Sequence, residues 1–411
     1  MAQKIYVERK FWDYIDFKIL IPVLLLTIIG LISIYSSTST STANKEFQNQ
    51  ILSFGIATFA LLFFTLFPEK LMRYIAIPSY GMAILFLILA LVLGTVNYGT
   101  KGWLNIGGKS FQPAEFAKFA VIIMSGFIFT NLNVSIKYLR TFLLVLSLYI
   151  FPVLLILLQP DFGTSVVFFA ILFGLLYWTG INSLLLFSIA SIPVILILSL
   201  KGGIVFWAGI SIFALILFIV FRQKFVFKIL VLLIFASLSF LSPYVYDNLA
   251  VHQKARIDNF LNPGQNKKES GYNVAQSVMA VGSGGLLGKG YMQGTQTQLR
   301  YIPMQWTDFI FSVPAEEFGF WGASIVLILY YILIKRIIRL ATNTRSRFFS
   351  VICISTASMF IFHIFINIGM VLGITPVMGI PLPFMSYGGT SLIVNYSLIG
   401  LILNSHRSNN L

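Results

Sequence analysis

The 411-residue chain is 58% hydrophobic and only 10% charged, with a mean hydropathy of +0.89; soluble domains carry about 25% charged residues, so this is an integral membrane protein. Lys and Arg outnumber Asp and Glu by 28 to 13, but the basic residues fall mainly in short loops between apolar runs, where they set topology and do not mark a nucleic-acid partner. One cysteine, Cys353, and three scattered histidines, His252, His363 and His406, exclude disulfides and a zinc motif, leaving carboxylates, Lys, Arg and hydroxyls to do any chemistry.

Residues 1–18 are mixed in charge (Lys4, Glu8, Arg9, Lys10, Asp13, Asp16, Lys18) and lead into an apolar run at 17–37. That run is long for a signal-peptide core and has no small-residue cleavage site after it, so it reads as an uncleaved anchor. Further runs follow at 49–67, 74–95, 114–131, 140–158, 162–179, 182–200, 203–221, 228–246, 319–337, 349–373 and 383–404, each near the length needed to cross the hydrocarbon core. The expectation is an all-α polytopic membrane protein of about twelve transmembrane helices, forming a single domain over 1–411.

Positive charge orients it. With a cytoplasmic N-terminus, the inside loops hold Lys70 and Arg73, Lys137 and Arg140, Arg222, Lys224 and Lys228, then Lys335, Arg336, Arg339, Arg345 and Arg347, while the outside connections hold few cations. Both termini then lie in the cytoplasm, and the two substantial polar segments, 96–113 and 247–310, both face outward.

Five acids stand at or inside apolar runs: Glu115, Asp161, Asp308, Glu316 and Glu317. A carboxylate at membrane depth costs a few kcal/mol, so each needs a partner, water or a function. Glu115 and Lys118 are three apart on one helix face and form either a structural ion pair or one wall of an outward cavity. Asp161, in the turn Gln159-Pro160-Asp161-Phe162-Gly163, caps the next helix or lines the same chamber. Lys101-Gly102-Trp103 reads as an interfacial anchor or as part of a site.

The 247–310 segment is too long and Gly-rich for a simple connector. Its Gly271-Tyr272, Gln276-Ser277, Gly282-Ser283-Gly284-Gly285 and Gly288-Lys289-Gly290 stretches suit close approach to anionic oxygens, with Arg256, Lys267, Lys268, Lys289 and Arg300 as cations for a phosphate or pyrophosphate. Thr307-Asp308 follows, either capping a helix or placing a general base in a cavity bordered by a broken helix, with Pro314, Glu316 and Glu317 beyond. Near the C-terminus, Pro381-Leu382-Pro383-Phe384-Met385-Ser386-Tyr387-Gly388-Gly389 either kinks a helix entry or exposes Ser386 and backbone amides.

Together, Lys-Gly-Trp-Leu at 101–104, Gln-Pro-Ala-Glu-Phe-Ala-Lys at 112–118, Gln-Pro-Asp-Phe-Gly-Thr-Ser at 159–165, Gly-Ser-Gly-Gly at 282–285, Thr-Asp-Phe-Ile-Phe at 307–311 and Pro-Leu-Pro-Phe-Met-Ser-Tyr-Gly-Gly at 381–389 resemble the SEDS family (shape, elongation, division and sporulation). Gly294-Thr295-Gln296 and Asn367-Ile368-Gly369-Met370 resemble its elongation member more than its division member.

The resemblance implies a peptidoglycan glycosyltransferase that polymerises lipid II on the outer face of the bacterial cytoplasmic membrane. It makes Asp308 the catalytic base, or the ligand of a divalent cation, Mg or Mn, with no organic cofactor. The candidate substrate-binding residues are Trp103, Glu115, Lys118, Asp161, Arg256, Gln276, Ser277, Lys289, Thr307 and Ser386. Implied partners are a class B penicillin-binding protein acting as transpeptidase, undecaprenyl-pyrophosphate-linked glycan and other elongation-machinery proteins. A flippase for the same lipid or a scaffold of the wall machinery are the rival classes.

Two departures stand out. The family has about ten spans, and 182–246 supplies three runs where it has one, the extra pair being a candidate lateral docking surface. Where the family has Pro-Glu-x-His before Thr-Asp, this chain has Pro303-Met304-Gln305-Trp306, which leaves Asp308 as the main base candidate.

Overall fold

A computed structural model of the chain describes residues 15–38, 45–97, 100–131, 138–249, 251–261 and 270–410. The charged residues from Lys4 to Asp13, together with Lys137, Lys267 and Lys268, lie outside the described residues. In chain order the elements are α1 (Phe17–Thr38), α2 (Lys45–Leu66), α3 (Glu69–Leu93), β1 (Thr95–Asn97), β2 (Thr100–Ile106), β3 (Lys109–Phe111), α4 (Pro113–Asn131), α5 (Leu139–Leu157) and α6 (Phe162–Trp178). There follow α7 (Ser183–Lys201), α8 (Gly203–Val220), α9 (Phe225–Asp247), α10 (Val251–Leu261), α11 (Ser270–Ser283), α12 (Thr295–Gln298), α13 (Ser312–Glu317), α14 (Gly319–Asn343), α15 (Arg347–Val371) and α16 (Gly389–Asn410).

Each of the twelve apolar runs is occupied by a helix. Nine of them, among the described residues, are both long and apolar enough to cross a membrane, and α6 is apolar but shorter. The remaining two are diluted by polar residues: α14 carries Lys335, Arg336 and Arg339 toward its end, and α16 carries Asn395, Asn404, His406 and Arg407. The last helix also starts later than its hydrophobic run, at Gly389; the N–H groups of Tyr387 and Gly388 just before it are held instead by the Trp306 carbonyl and Gln50 Oε1.

Both polar segments carry structure of their own. The 96–113 stretch is a small antiparallel sheet in the order β1-β2-β3, with Thr95 opposite Trp103 and Leu104 opposite Phe111. Gly107 and Gly108, at φ 59° and 79°, close its second hairpin with the left-handed pair of a two-residue turn. Within 247–310 the described residues form three helices, α10 to α12, with turns after α11 and α12.

The core is built on α4 and α15, which are buried over most of their surface although apolar nearly all round. Helices α2 and α16 pack together, α3 lies on α4, and α15 contacts α6, α4 and α14. Helices α7 to α9 gather around a separate small cluster, Leu184, Ile195, Leu217, Val231 and Phe235, and α8 is almost wholly exposed.

Ion pairs tie the helix ends that share the basic loops. Arg336 Nε meets Asp16 Oδ2 at 2.5 Å, with His406 Nδ1 3.9 Å from the same carboxylate, and Glu69 takes Arg73 and the Ser346 hydroxyl. At the opposite end of α1, Ser36 donates to Glu317. Gln305 Nε2 bonds the Ser37 carbonyl there at 3.2 Å.

Candidate active site

Asp308 lies in an irregular series of turns between α12 and α13, with Met304 in the left-handed region at φ 53°. It does not cap α13: the cap position is Phe311, and no side chain bonds there. The side chain is half-buried, and its carboxylate accepts no hydrogen bond among the described residues. Its Oδ2 faces the turn at Gly379, 3.5 Å from where a Cβ on that glycine would stand. Burial pushes the Asp308 carboxyl up to about 6; Arg256 on α10 draws it back down and Asp161 adds to the rise. Arg256 on α10 and Asp161 at the start of α6 are thus the charged groups whose fields act on Asp308.

Asp161 is the N-cap of α6. Its Oδ1 accepts from the Thr164 N–H at 3.0 Å, and its Oδ2 from the Thr164 hydroxyl at 2.8 Å and from Gln112 Nε2 at 3.2 Å. The sheet abuts this turn through Lys101 N–H, which donates to the Gln159 carbonyl at 3.3 Å, so half-buried Trp103 on β2 stands on the same flank.

Several expected cavity residues are placed otherwise. Glu115 and Lys118 do not line an open chamber: their 2.7 Å ion pair is buried between α4 and α15. Lys118 Nζ also reaches His363 Nε2 at 3.3 Å, while His363 Nδ1 bonds the Met359 carbonyl at 2.8 Å. Nδ1 is therefore the protonated nitrogen and Nε2 the acceptor. Ser277 is fully buried, its hydroxyl bonding the Val371 carbonyl at 2.8 Å and pinning α11 to the end of α15. Gln276, on the same helix, is half-buried.

The glycine-rich stretch packs on α13, and several of its amides are taken up by the protein's own backbone: Gly288 N–H by Gly284 at 2.8 Å, Lys289 N–H by Glu316 at 3.1 Å, and Gly290 N–H by Glu317 at 2.9 Å. A Cβ at Gly284 would sit 2.1 Å from the Ala315 carbonyl oxygen, and one at Gly288 2.1 Å from that of Glu317. These glycines therefore serve close packing on α13. Lys289 is not free for pyrophosphate either; Nζ is 2.8 Å from Glu316 Oε1 and 2.7 Å from the Thr295 hydroxyl.

Glu316 and Glu317 anchor the neighbouring chain and do not border a water-filled space. Burial alone would raise the Glu316 carboxyl, but Lys289 and the N–H groups of Gln296 and Thr297, at 2.9 and 3.0 Å, hold it below the usual carboxylate range. Burial raises Glu317 despite bonds from Ser36 and Gln298. The Thr307 hydroxyl bonds the Met304 carbonyl at 2.9 Å. Ser386 is buried and not exposed by its prolines, its hydroxyl donating to the Thr307 carbonyl at 2.6 Å.

Sequence reasoning missed Gln112 and His363. Gln112 immediately precedes Pro113 at the start of α4; His363, set aside because the three histidines are too scattered for a zinc motif, is placed by a fold contact no spacing reveals. Among the described residues no group of three or more His, Cys, Asp or Glu could hold a metal ion, and the Asp161 oxygens beside Asp308 are already engaged. These residues do not build a metal site by themselves.

Known proteins fit this architecture. A chain of a peptidoglycan synthase complex, solved for its coordination of polymerization and crosslinking, superposes with a TM-score of 0.72 at 24% identity, covering 96% of this chain and 98% of that one. The peptidoglycan glycosyltransferase MrdB of Escherichia coli (strain K12) is 29% identical over 97% of this chain and 96% of its own length. A probable peptidoglycan glycosyltransferase FtsW of Enterococcus hirae is 33% identical over 95% of this chain and 91% of its own. The family model FTSW_RODA_SPOVE, described as cell cycle protein, matches residues 17–208 and 201–411, so the chain belongs to the FtsW/RodA/SpoVE family, the SEDS family its motifs resemble.

Proposed function

We infer that this chain is a peptidoglycan glycosyltransferase that polymerises lipid II into glycan strands during cell elongation, with Asp308 as the general base. One observation carries the assignment to Asp308. Of the five acids at apolar runs, Glu115, Asp161, Glu316 and Glu317 are engaged in ion pairs or hydrogen bonds, whereas the Asp308 carboxylate is hydrogen-bonded to no described residue and lies in the field of Arg256.

In the reaction an acceptor sugar hydroxyl attacks the anomeric carbon of the donor, and the bond from that carbon to the pyrophosphate oxygen breaks. The hydroxyl proton passes to Asp308, and the lipid pyrophosphate leaves with the bonding electrons. A carboxylate titrating near the working pH suits this transfer, and Arg256 offers positive charge for the departing group. A divalent cation would arrive with the pyrophosphate, whose oxygens would complete a ligand set that the described residues do not build alone. The class B penicillin-binding protein fits as the partner that crosslinks the strands.

The test is polymerisation of labelled lipid II by the purified chain with that partner. Glycan strands are expected; translocation without polymer would favour a flippase. Because the base must be ionised, the rate at limiting lipid, which follows kcat/KM and so the free enzyme, should fall as pH drops through about 6. A rate flat down to pH 4 would remove Asp308 from the role.

The reading also places the site on the outer face. Cys353 is fully buried, so added cysteines report cleanly. In intact cells a membrane-impermeant maleimide should label Leu299→Cys, exposed at the end of α12, and leave Asn343→Cys, at the basic end of α14, unlabelled until the cells are broken. The reverse pattern would invert the topology.

A further inference from the structure

No helix holds Asp308, so something else must fix its backbone. Three successive carbonyls leading to it are each gripped by a donor from elsewhere. Trp306 accepts from the Tyr387 N–H at 2.8 Å, Thr307 from the Ser386 hydroxyl at 2.6 Å, and Asp308 from Asn367 Nδ2 at 2.8 Å.

Each side-chain pin is itself oriented. Asn367, fully buried on α15, uses the same amide nitrogen on the Ile380 carbonyl at 2.8 Å. It thus staples the Asp308 stretch to the Pro381–Gly388 stretch. The Leu382 N–H donates to the Ser386 oxygen at 2.8 Å, which leaves the hydroxyl proton directed at Thr307. Gln50 on α2 braces the other side, donating to the Ser386 carbonyl at 3.2 Å and accepting from the Gly388 N–H at 3.1 Å. Tyr330 on α14 donates to the Pro383 carbonyl.

We propose that Asn367 and Ser386 are positioning residues that hold the Asp308 backbone where its carboxylate meets the acceptor hydroxyl, and that Ser386 makes no contact with substrate. This rests on the reading of Asp308 as the base. The chemistry requires these side chains: Asn367 must present two N–H bonds to two carbonyls, which neither Asp nor Leu can do, and Ser386 must accept one bond while donating another. Misplacing a reacting group by about 1 Å costs on the order of 100-fold in rate.

The experiment measures kcat and KM for lipid II polymerisation by the purified chain with its transpeptidase partner, for Asn367→Ala, Ser386→Ala, Ser386→Thr and Asp308→Asn. Elution profile and thermal midpoint establish that each variant is folded. The two alanine variants should lose roughly tenfold to 100-fold in kcat with KM unchanged, and Ser386→Thr, which keeps the hydroxyl, should recover most of the Ser386 loss. A raised KM at unchanged kcat in Ser386→Ala would make that hydroxyl a substrate contact and overturn the proposal. Wild-type kcat in both alanine variants, with Asp308→Asn inactive, would overturn it while leaving the base assignment standing. An active Asp308→Asn would remove the base assignment itself. If Asn367→Ala does not fold, Ser386→Ala, which deletes a single hydroxyl, decides alone.

Discussion

Lys118→Ala will destabilise the protein by about 3–5 kcal/mol, the cost of removing one partner from a buried ion pair. Lys118 and Glu115 have side chains only 2% and 4% exposed, so water cannot replace the lost ammonium. One oxygen of Glu115 already has no hydrogen-bond partner, and His363, held by the Met359 carbonyl through Nδ1, turns only a lone pair toward the cluster. The variant would leave a carboxylate with nothing positive beside it at the α4–α15 interface. Replacing both members, Glu115→Leu with Lys118→Met, removes both charges and should recover most of the stability. Thermal unfolding in detergent measures both effects. A single variant as stable as wild type would show that the pair is solvated and that the α4–α15 interface is not dry.

Much of the architecture is legible in the sequence because a bilayer imposes so few solutions: every apolar run became a helix. Local chemistry was legible too. The Glu115–Lys118 pair follows from a three-residue spacing, and the Asp161 cap from its place just before an apolar run. What sequence concealed depends on partners far away in the chain. Lys289 reads as a phosphate ligand until the fold brings Glu316 beside it. Glycines at 284 and 288 signal close backbone approach, but nothing in their pattern says whether the approaching group is a phosphate or, as here, the backbone of α13. Ser386 has the same difficulty, since the carbonyl it grips belongs to Thr307. The small sheet carried a readable sign, Gly107-Gly108 between residues able to pair, obscured by the apolar runs on either side.

The largest functional effect is expected at Asp308. Asparagine keeps the size and shape of aspartate and leaves the backbone grip of Asn367, Ser386 and Tyr387 untouched, so the fold and the partner interface should survive. What it removes is the negative oxygen that takes the hydroxyl proton, worth about 10²- to 10⁴-fold in rate. No neighbour can substitute: Asp161 already accepts from Thr164 and Gln112, and the family's Glu and His before the Thr-Asp pair are here Met304 and Trp306. Binding of the lipid, which draws on the cation at Arg256, should be little changed.

The central claim is therefore tested most directly by polymerisation of labelled lipid II by wild type and Asp308→Asn, each purified with the transpeptidase partner and each shown to bind the lipid. The account predicts glycan strands from wild type and none from the folded, lipid-binding variant; strands of ordinary length and yield from Asp308→Asn would contradict it.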